Sequence, residues 1–458
     1  MGYSLKRYIG SFEFYKKVSL VAIPLGLQQL VTSCMGIIDS LMVSWIGQVT
    51  AVGTAVQIET LCTGVSWACA AGVGIFSVQF FGAKDMNNLK RSFGLSIVLG
   101  VISGAFWLIL AMLLGRQILG FYINDQEVIR NGMIYLQIAM FSYIPLSLGF
   151  VFNIMYRNIN KPQIPLIVGI IAMIINVFVN YILIFGACGF PRLGIQGAAV
   201  GTCFAHTSAL IFNFIYAYKT KQPFIGSFKE MFSFNYQFVQ PIMVKTRSLI
   251  VNELFFSFGS TLFIKAFGTL GTNSMSAYYV GAKISDIFYA FANGFSNAVA
   301  AILGISLGEG KVEKAKEEGD YLISMATCLS LASMFFIFIC SRLLVGLFEL
   351  SNAQVIEEAV LIVKVFALRI ALRFFIVIVF SSLRAGGDSK ALMLLDSGLM
   401  WIIGIPLAFI SVHVFKIQNI AVVFFICQLE HIIRVFLGIK RYATGIWAMN
   451  LTQLVEGG

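Results

Sequence analysis

Asp39 is the only formal charge in Val18–Ile46, a run long enough to cross a bilayer and otherwise apolar or uncharged. An ionised carboxylate deep in a membrane helix costs about 2.5–3.5 kcal/mol on insertion scales, so it persists where it faces protein and has a task. Gln28, Thr32, Gly36 and Asp39 fall at i, i+4, i+8 and i+11, which is one helical face. Further along, Asn176 and Asn180 share a face at i, i+4, and so do Thr202 and His206. Amide and hydroxyl oxygens beside a carboxylate can ligate Na+ or hydrogen-bond a protonated acid. Imidazole adds a group whose ordinary titration falls near neutral pH. These residues therefore suit reversible binding of H+ or Na+, with any Na+ held at Asp39. The competing reading gives Asp39 and His206 only packing and hydrogen-bonding roles.

The second half carries more intramembrane charge: Glu253, Asp286 and Asp396, with Lys283, Lys364, Arg369 and Arg373. Buried charges persist when paired, so one reading is an internal salt-bridge network. The other is a second coupling or substrate site. Glu430 and Arg434, an i, i+4 pair, read as structural. Catalytic residues are not expected. His206, His413 and His431 lie in distant spans with no acid–His spacing, and no phosphate loop is present, since Val312 stands where Gly308-Glu-Gly-Lys311 would need Ser or Thr.

The elements that position these residues are membrane helices. The chain is 59% hydrophobic and 12% charged with mean hydropathy +0.87, which excludes a soluble globule. The expected fold is all-α and polytopic, with spans near 18–46, 52–81, 93–114, 130–155, 162–186, 197–218, 241–267, 275–307, 321–345, 355–382, 390–414 and 418–439. Pro24 removes a backbone hydrogen bond inside the first span and marks a hinge. The eight cysteines follow no ligand or disulfide spacing and read as small hydrophobes. The basic, aromatic N-terminus reads as no signal peptide. Nineteen Lys and Arg fall on the side holding both termini, five fall opposite and eight lie within spans, so both termini are expected in the cytoplasm.

Two six-helix repeats are expected. Gly82–Asp85 and Gly308–Lys311 each precede a charged stretch, and Arg157–Lys161 and Arg384–Asp388 each follow a fourth span. The expected divisions are a segment 1–17, an N-lobe 18–219, a cytoplasmic linker 220–240, a C-lobe 241–440 and a tail 441–458.

Ile23–Gly47 resembles the first helix of the multidrug and toxic compound extrusion (MATE) transporters. Arg157–Pro165, Asn176–Gly186 and Leu193–Thr202 are similar to further patterns of that family, as are Asn252–Gly259, Leu270–Ile284, Arg384–Asp388 and Trp401–Phe409 in the second half. The resemblance spans nearly the whole chain and implies a twelve-helix, two-lobed antiporter. It would export organic cations and amphipathic drugs in exchange for H+ or Na+, with no other cofactor. The resemblance implies Asp39, Asn176, Asn180 and Thr202 as the N-lobe cation site and Glu253 as an acid shared with part of the family. Many members have Asp where this chain has Asn180; a single carboxylate neutralises Na+ less well, which favours H+. Expected partners are small cationic or amphipathic molecules and the lipid bilayer, without nucleic acid, the chain acting as a monomer in the bacterial inner membrane. The alternative is a lipid-linked saccharide flippase of the wider superfamily, in which Arg369 and Arg373 would supply a cationic cavity.

Overall fold

The computed structural model describes residues 9–123, 125–348 and 353–456. Residues 1–8 of the expected N-terminal segment and 457–458 of the tail lie outside them. Twelve long helices follow in order: α1 (Phe12–Ser44), α2 (Val49–Gly82), α3 (Met86–Tyr122), α4 (Gln126–Asn158), α5 (Gln163–Phe185), α6 (Ile195–Lys219), α7 (Tyr236–Gly268), α8 (Thr272–Gly308), α9 (Val312–Gly346), α10 (Ala353–Ala385), α11 (Ser389–Val414) and α12 (Ile420–Ala443). Eleven of these helices are apolar and long enough to cross a membrane by length and composition, and α10 holds the apolar run Val365–Ser382, broken by Arg369 and Arg373. Helices dominate because a bilayer offers backbone N–H and C=O groups no other partner.

Two compact units divide the described chain. One comprises residues 27–250 and the last residues from 452, and the other comprises the first residues to 26 and 251–451. The division falls inside α1, two residues after Pro24, although α1 runs unbroken through the proline.

In the unit built on 27–250, α2 is the most deeply placed helix, with nearly every residue from Ala68 to Phe80 buried. Met42, Ile58, Cys62, Trp107, Tyr135, Leu136, Tyr143, Ile184 and Ala199 form a core drawn from six helices. Helix α4 is interrupted by a 3-10 turn at Met140–Ser142. Hydroxyls fasten the core: Ser66 on α2 bonds Ser103 on α3 at 2.9 Å and Ser147 on α4 at 2.7 Å.

In the unit built on 251–451, Phe267, Ala277, Ile284, Val363, Phe366, Ile370 and Phe424 form the core of α7, α8, α10 and α12. The first part of α1 packs on α8 where Gly294 meets the backbone at Gly26, a contact that any Cβ on residue 294 would block. Helix α11 departs from the straight span expected over 390–414. It contains π-turns at Leu394–Gly398, Met400–Gly404 and Ile410–Val414.

Candidate functional site

Five helices of the first unit converge on Asp39. The carboxylate Oδ1 accepts a 2.6 Å hydrogen bond from Asn180 Nδ2, which is also 3.2 Å from Asn176 Oδ1. Both asparagines are buried, so the i, i+4 pair on α5 turns one face to α1. Asn180 needs room on its other side. A Cβ at position 201 of α6 would collide with the Asn180 carboxamide, so Gly201 gives Asn180 its place. One residue on, Thr202 Oγ1 back-bonds to Ala198 O at 3.1 Å and meets the buried Tyr135 hydroxyl of α4 at 3.4 Å.

His206, one turn beyond Thr202, does not reach Asp39 directly. Its Nε2 stands 3.8 Å from Glu59 Oε1 on α2, both side chains being about one-fifth exposed. Glu59 and His206 act electrostatically on Asp39, and Tyr135 lies within the field of both acids. The site therefore holds two carboxylates, which corrects the expectation of one. Glu59 meets the criterion that singles out Asp39, a lone acid in an apolar run, and is as legible in the sequence. With Glu59 beside Asp39, the Asn at position 180 no longer favours H+ over Na+.

Two polar atoms remain buried here without a hydrogen-bond partner, Asn180 Oδ1 and Asn176 Nδ2. An unmatched amide oxygen beside a carboxylate is a group that a cation or a hydronium can use. Of the face expected on α1, Gln28 and Asp39 are half-buried, whereas Thr32 and Gly36 are exposed. Pro24 lies outside this cluster, four turns earlier on α1.

The charges of the second unit separate into three groups. Asp396 Oδ1 pairs with Arg434 Nη1 at 2.6 Å, and Arg434 also bonds Glu430, which pairs with His431 Nδ1 at 2.7 Å. Arg434 Nη2 further donates to the Asp396 main-chain oxygen at 2.9 Å, and Asn252 Oδ1 accepts from Ser397 N at 3.2 Å. These bonds serve backbone groups of the first π-turn of α11, where the regular i→i+4 ladder is broken. Glu430 and Arg434 are thus a buried structural framework in the middle of α12.

Arg369 and Arg373 form the second group, and the structure departs from the expected network there. Among the described residues neither has an acid within 4 Å. Arg369 lies over the Phe424 and Phe366 rings at 5.3 and 5.9 Å, and Arg373 over Phe256 and Tyr289 at 5.2 and 5.6 Å. Glu253, half-buried on α7, shares an electrostatic environment with Asp396, Arg384 and Arg373 without an ion pair to Arg373. Asp286 stands apart. It is exposed and 3.8 Å from Lys283, because that face of α8 turns away from the core.

The family model MatE matches residues 24–182 and 248–410. A probable multidrug resistance protein NorM of Thermotoga maritima is 24% identical over 91% of this chain and 90% of its own length. The uncharacterized transporter YisQ of Bacillus subtilis is 24% identical over 93% of both chains. A solved structure described as the outward-facing conformation of a multidrug resistance MATE family transporter superposes with TM-score 0.86 at 16% identity, covering 97% of this chain and 99% of the other. With both halves matched by one family model and the fold shared end to end, this chain belongs to the MATE family of multi-pass membrane transporters.

Proposed function

We propose that this chain is a secondary-active multidrug exporter, an antiporter that moves organic cations and other amphipaths out of the cell in exchange for H+ entering. It sits in the bacterial inner membrane with both termini cytoplasmic. The observation that carries the reading is the Asp39–Asn180 hydrogen bond at the centre of a five-helix polar cluster inside an apolar unit. The names of the relatives support multidrug export.

Asp39 is the exchange group. Ionised, it holds Asn180, and through Asn180 the α5 face to which α1 is tied. Protonated, it loses the charge that makes that grip strong, since hydrogen bonds to ionised groups are about twice as strong as neutral ones. Helix α1 is then free to bend at Pro24, where the ladder bond is already missing. Release of the proton towards the cytoplasm restores the grip. H+ is favoured over Na+ by His206 and Glu59, a pair able to pass a proton within the cluster. Na+ remains the alternative, with Asp39, Asn180 Oδ1 and Thr202 as the oxygens to hold it.

The test is efflux of ethidium from proteoliposomes under separately imposed pH and Na+ gradients. The proposal expects uphill transport with a pH gradient alone. Transport that is complete without a pH gradient and strictly needs Na+ reverses the ion assignment, and no transport under either gradient sets the exporter reading aside.

A further inference from the structure

We propose that the cluster of aromatic rings around Arg369 and Arg373 binds the anionic head of an amphipathic ligand, a carboxylate or phosphate carried on an apolar body. This goes beyond the export of cations; entry of such a ligand into a transport cycle rests on the exporter reading, whereas its binding does not.

The geometry begins with spacing. Arg369 and Arg373 are one turn apart on α10 and present two guanidinium groups on one face. Each is stacked near two aromatic rings, Phe366 and Phe424 for the first, Phe256 and Tyr289 for the second. Stacking satisfies the face of a guanidinium and leaves its in-plane N–H fork free, and that fork is the geometry that grips carboxylate and phosphate. The fork is in fact unused. Among the described residues no hydrogen bond of the protein engages either arginine, and Arg369 Nε is buried without a partner. The Tyr289 hydroxyl beside Arg373 is also buried and unpartnered, adding a neutral donor.

The protein's own acids do not fill the site. Asp396 and Glu430 are committed to Arg434. Glu253 acts electrostatically on Arg373 without an ion pair to it, so among the described residues no acid is paired with either arginine. An unpaired buried cation is costly unless a counter-charge arrives. The walls suit a body that is not polar. Tyr278 packs with Phe366 and Phe424 at ring separations of 5.8 and 5.5 Å, widening the aromatic surface beside Arg369.

The experiment measures binding of 11-(dansylamino)undecanoic acid and of its uncharged methyl ester to the purified full chain in detergent. The acid is expected to bind at least tenfold more tightly, and the double variant Arg369→Gln/Arg373→Gln to abolish that preference. Equal affinity for acid and ester in the wild type, or an undiminished preference in the folded double variant, overturns the proposal. Should the variant fail to fold, competition on the wild type decides. Displacement of the acid by dodecyl phosphate but not by equimolar inorganic phosphate sustains an amphipathic ligand, and failure of dodecyl phosphate to compete overturns it. Competition by phosphatidylglycerol in mixed micelles assigns the head group to a lipid, and competition by dodecyl phosphate alone assigns it to a soluble amphipath. Asp39→Asn separates the two readings, because it is expected to stop ethidium efflux while leaving the acid-over-ester preference intact.

Discussion

Asp39 and its amide partner make the sharpest claims at the scale of the residue. Asp39→Asn keeps size and hydrogen-bonding capacity but cannot exchange a proton, and α1 inserts more easily without the charge. The variant is expected to express, fold and bind ethidium, and to lose uphill efflux in energised vesicles. Wild-type efflux from it would move the coupling role to Glu253. Gly201 offers an independent approach to the same site, since Gly201→Ala places a methyl group where the Asn180 carboxamide lies. Overpacking of this kind costs about 1–3 kcal/mol. Coupled efflux is expected to fall while helix content by circular dichroism stays, and normal efflux would show that the Asn180–Asp39 bond is dispensable. Much of this site was legible. A lone acid in an apolar run and amides one turn apart name Asp39, Asn176 and Asn180 without any structure. What periodicity does not contain is which faces point at each other, so the Glu59–His206 pair and Tyr135 emerge only in three dimensions. Arg369 shows the opposite failure. The rule that buried cations pair with acids predicts an acid, whereas aromatic rings take that place.

Helix α11 and the linker are the informative elements. The π-turn at Leu394–Gly398 leaves backbone groups without ladder partners, and Arg434 answers with bonds to both the side chain and the main chain of Asp396. Arg434→Ala leaves the buried Glu430 and the half-buried Asp396 without their cation, a loss of about 3–5 kcal/mol. A markedly lower melting temperature in detergent is the expected result, and an unchanged one would show that α11 holds its shape unaided. Arg369→Ala, by contrast, strands no acid and is expected to unfold at nearly the wild-type temperature. In the linker, the helix Phe228–Phe232 is closed by a capping box between Ser227 and Glu230, and Lys90 of α3 donates to Glu230 at 2.9 Å. The Lys90 hydrogen bond, with bonds from Ser227, holds the Glu230 carboxyl down at about 2 against an ordinary 4.5. A depressed acid contributes its stability above its unfolded value and loses it as pH falls through the folded one. Linker amides are therefore expected to stay protected from hydrogen exchange above about pH 4.5 and to open towards pH 2, while Glu230→Gln opens them at pH 7. Equal protection in the two proteins at pH 7 would remove the latch. Sequence reading places a linker here but sees neither the capping box partner on α3 nor the broken ladder of α11, because both depend on contacts distant in sequence.

For the whole molecule, helix number and order follow from apolar length, and the described helices match the expected spans within several residues except where turns interrupt α4 and α11. The bilayer makes this possible, since it forces every crossing segment into one kind of element. Orientation needs a different argument, because helices alone carry no sign. Lys84, Lys90 and Arg91 lie around the α2–α3 junction, Arg157 is in the last turn of α4 with Lys161 beyond it, Lys219 ends α6 with Lys221 and Lys229 beyond it, and Lys440 and Arg441 are in the last turn of α12, all on one side of the alternation. The other side has few, among them Arg116, Arg192 and Lys416. Positive residues near span ends resist translocation, which supports the proposed orientation, with the richer side and both termini in the cytoplasm. Single cysteines introduced on a cysteine-free background give the test. One replacing Lys229 is expected to be blocked by a membrane-impermeant maleimide only in inside-out vesicles, and one replacing Lys416 only in intact cells with the outer barrier opened. The reverse pattern would invert the topology, and with it the direction of proton release and export proposed for Asp39.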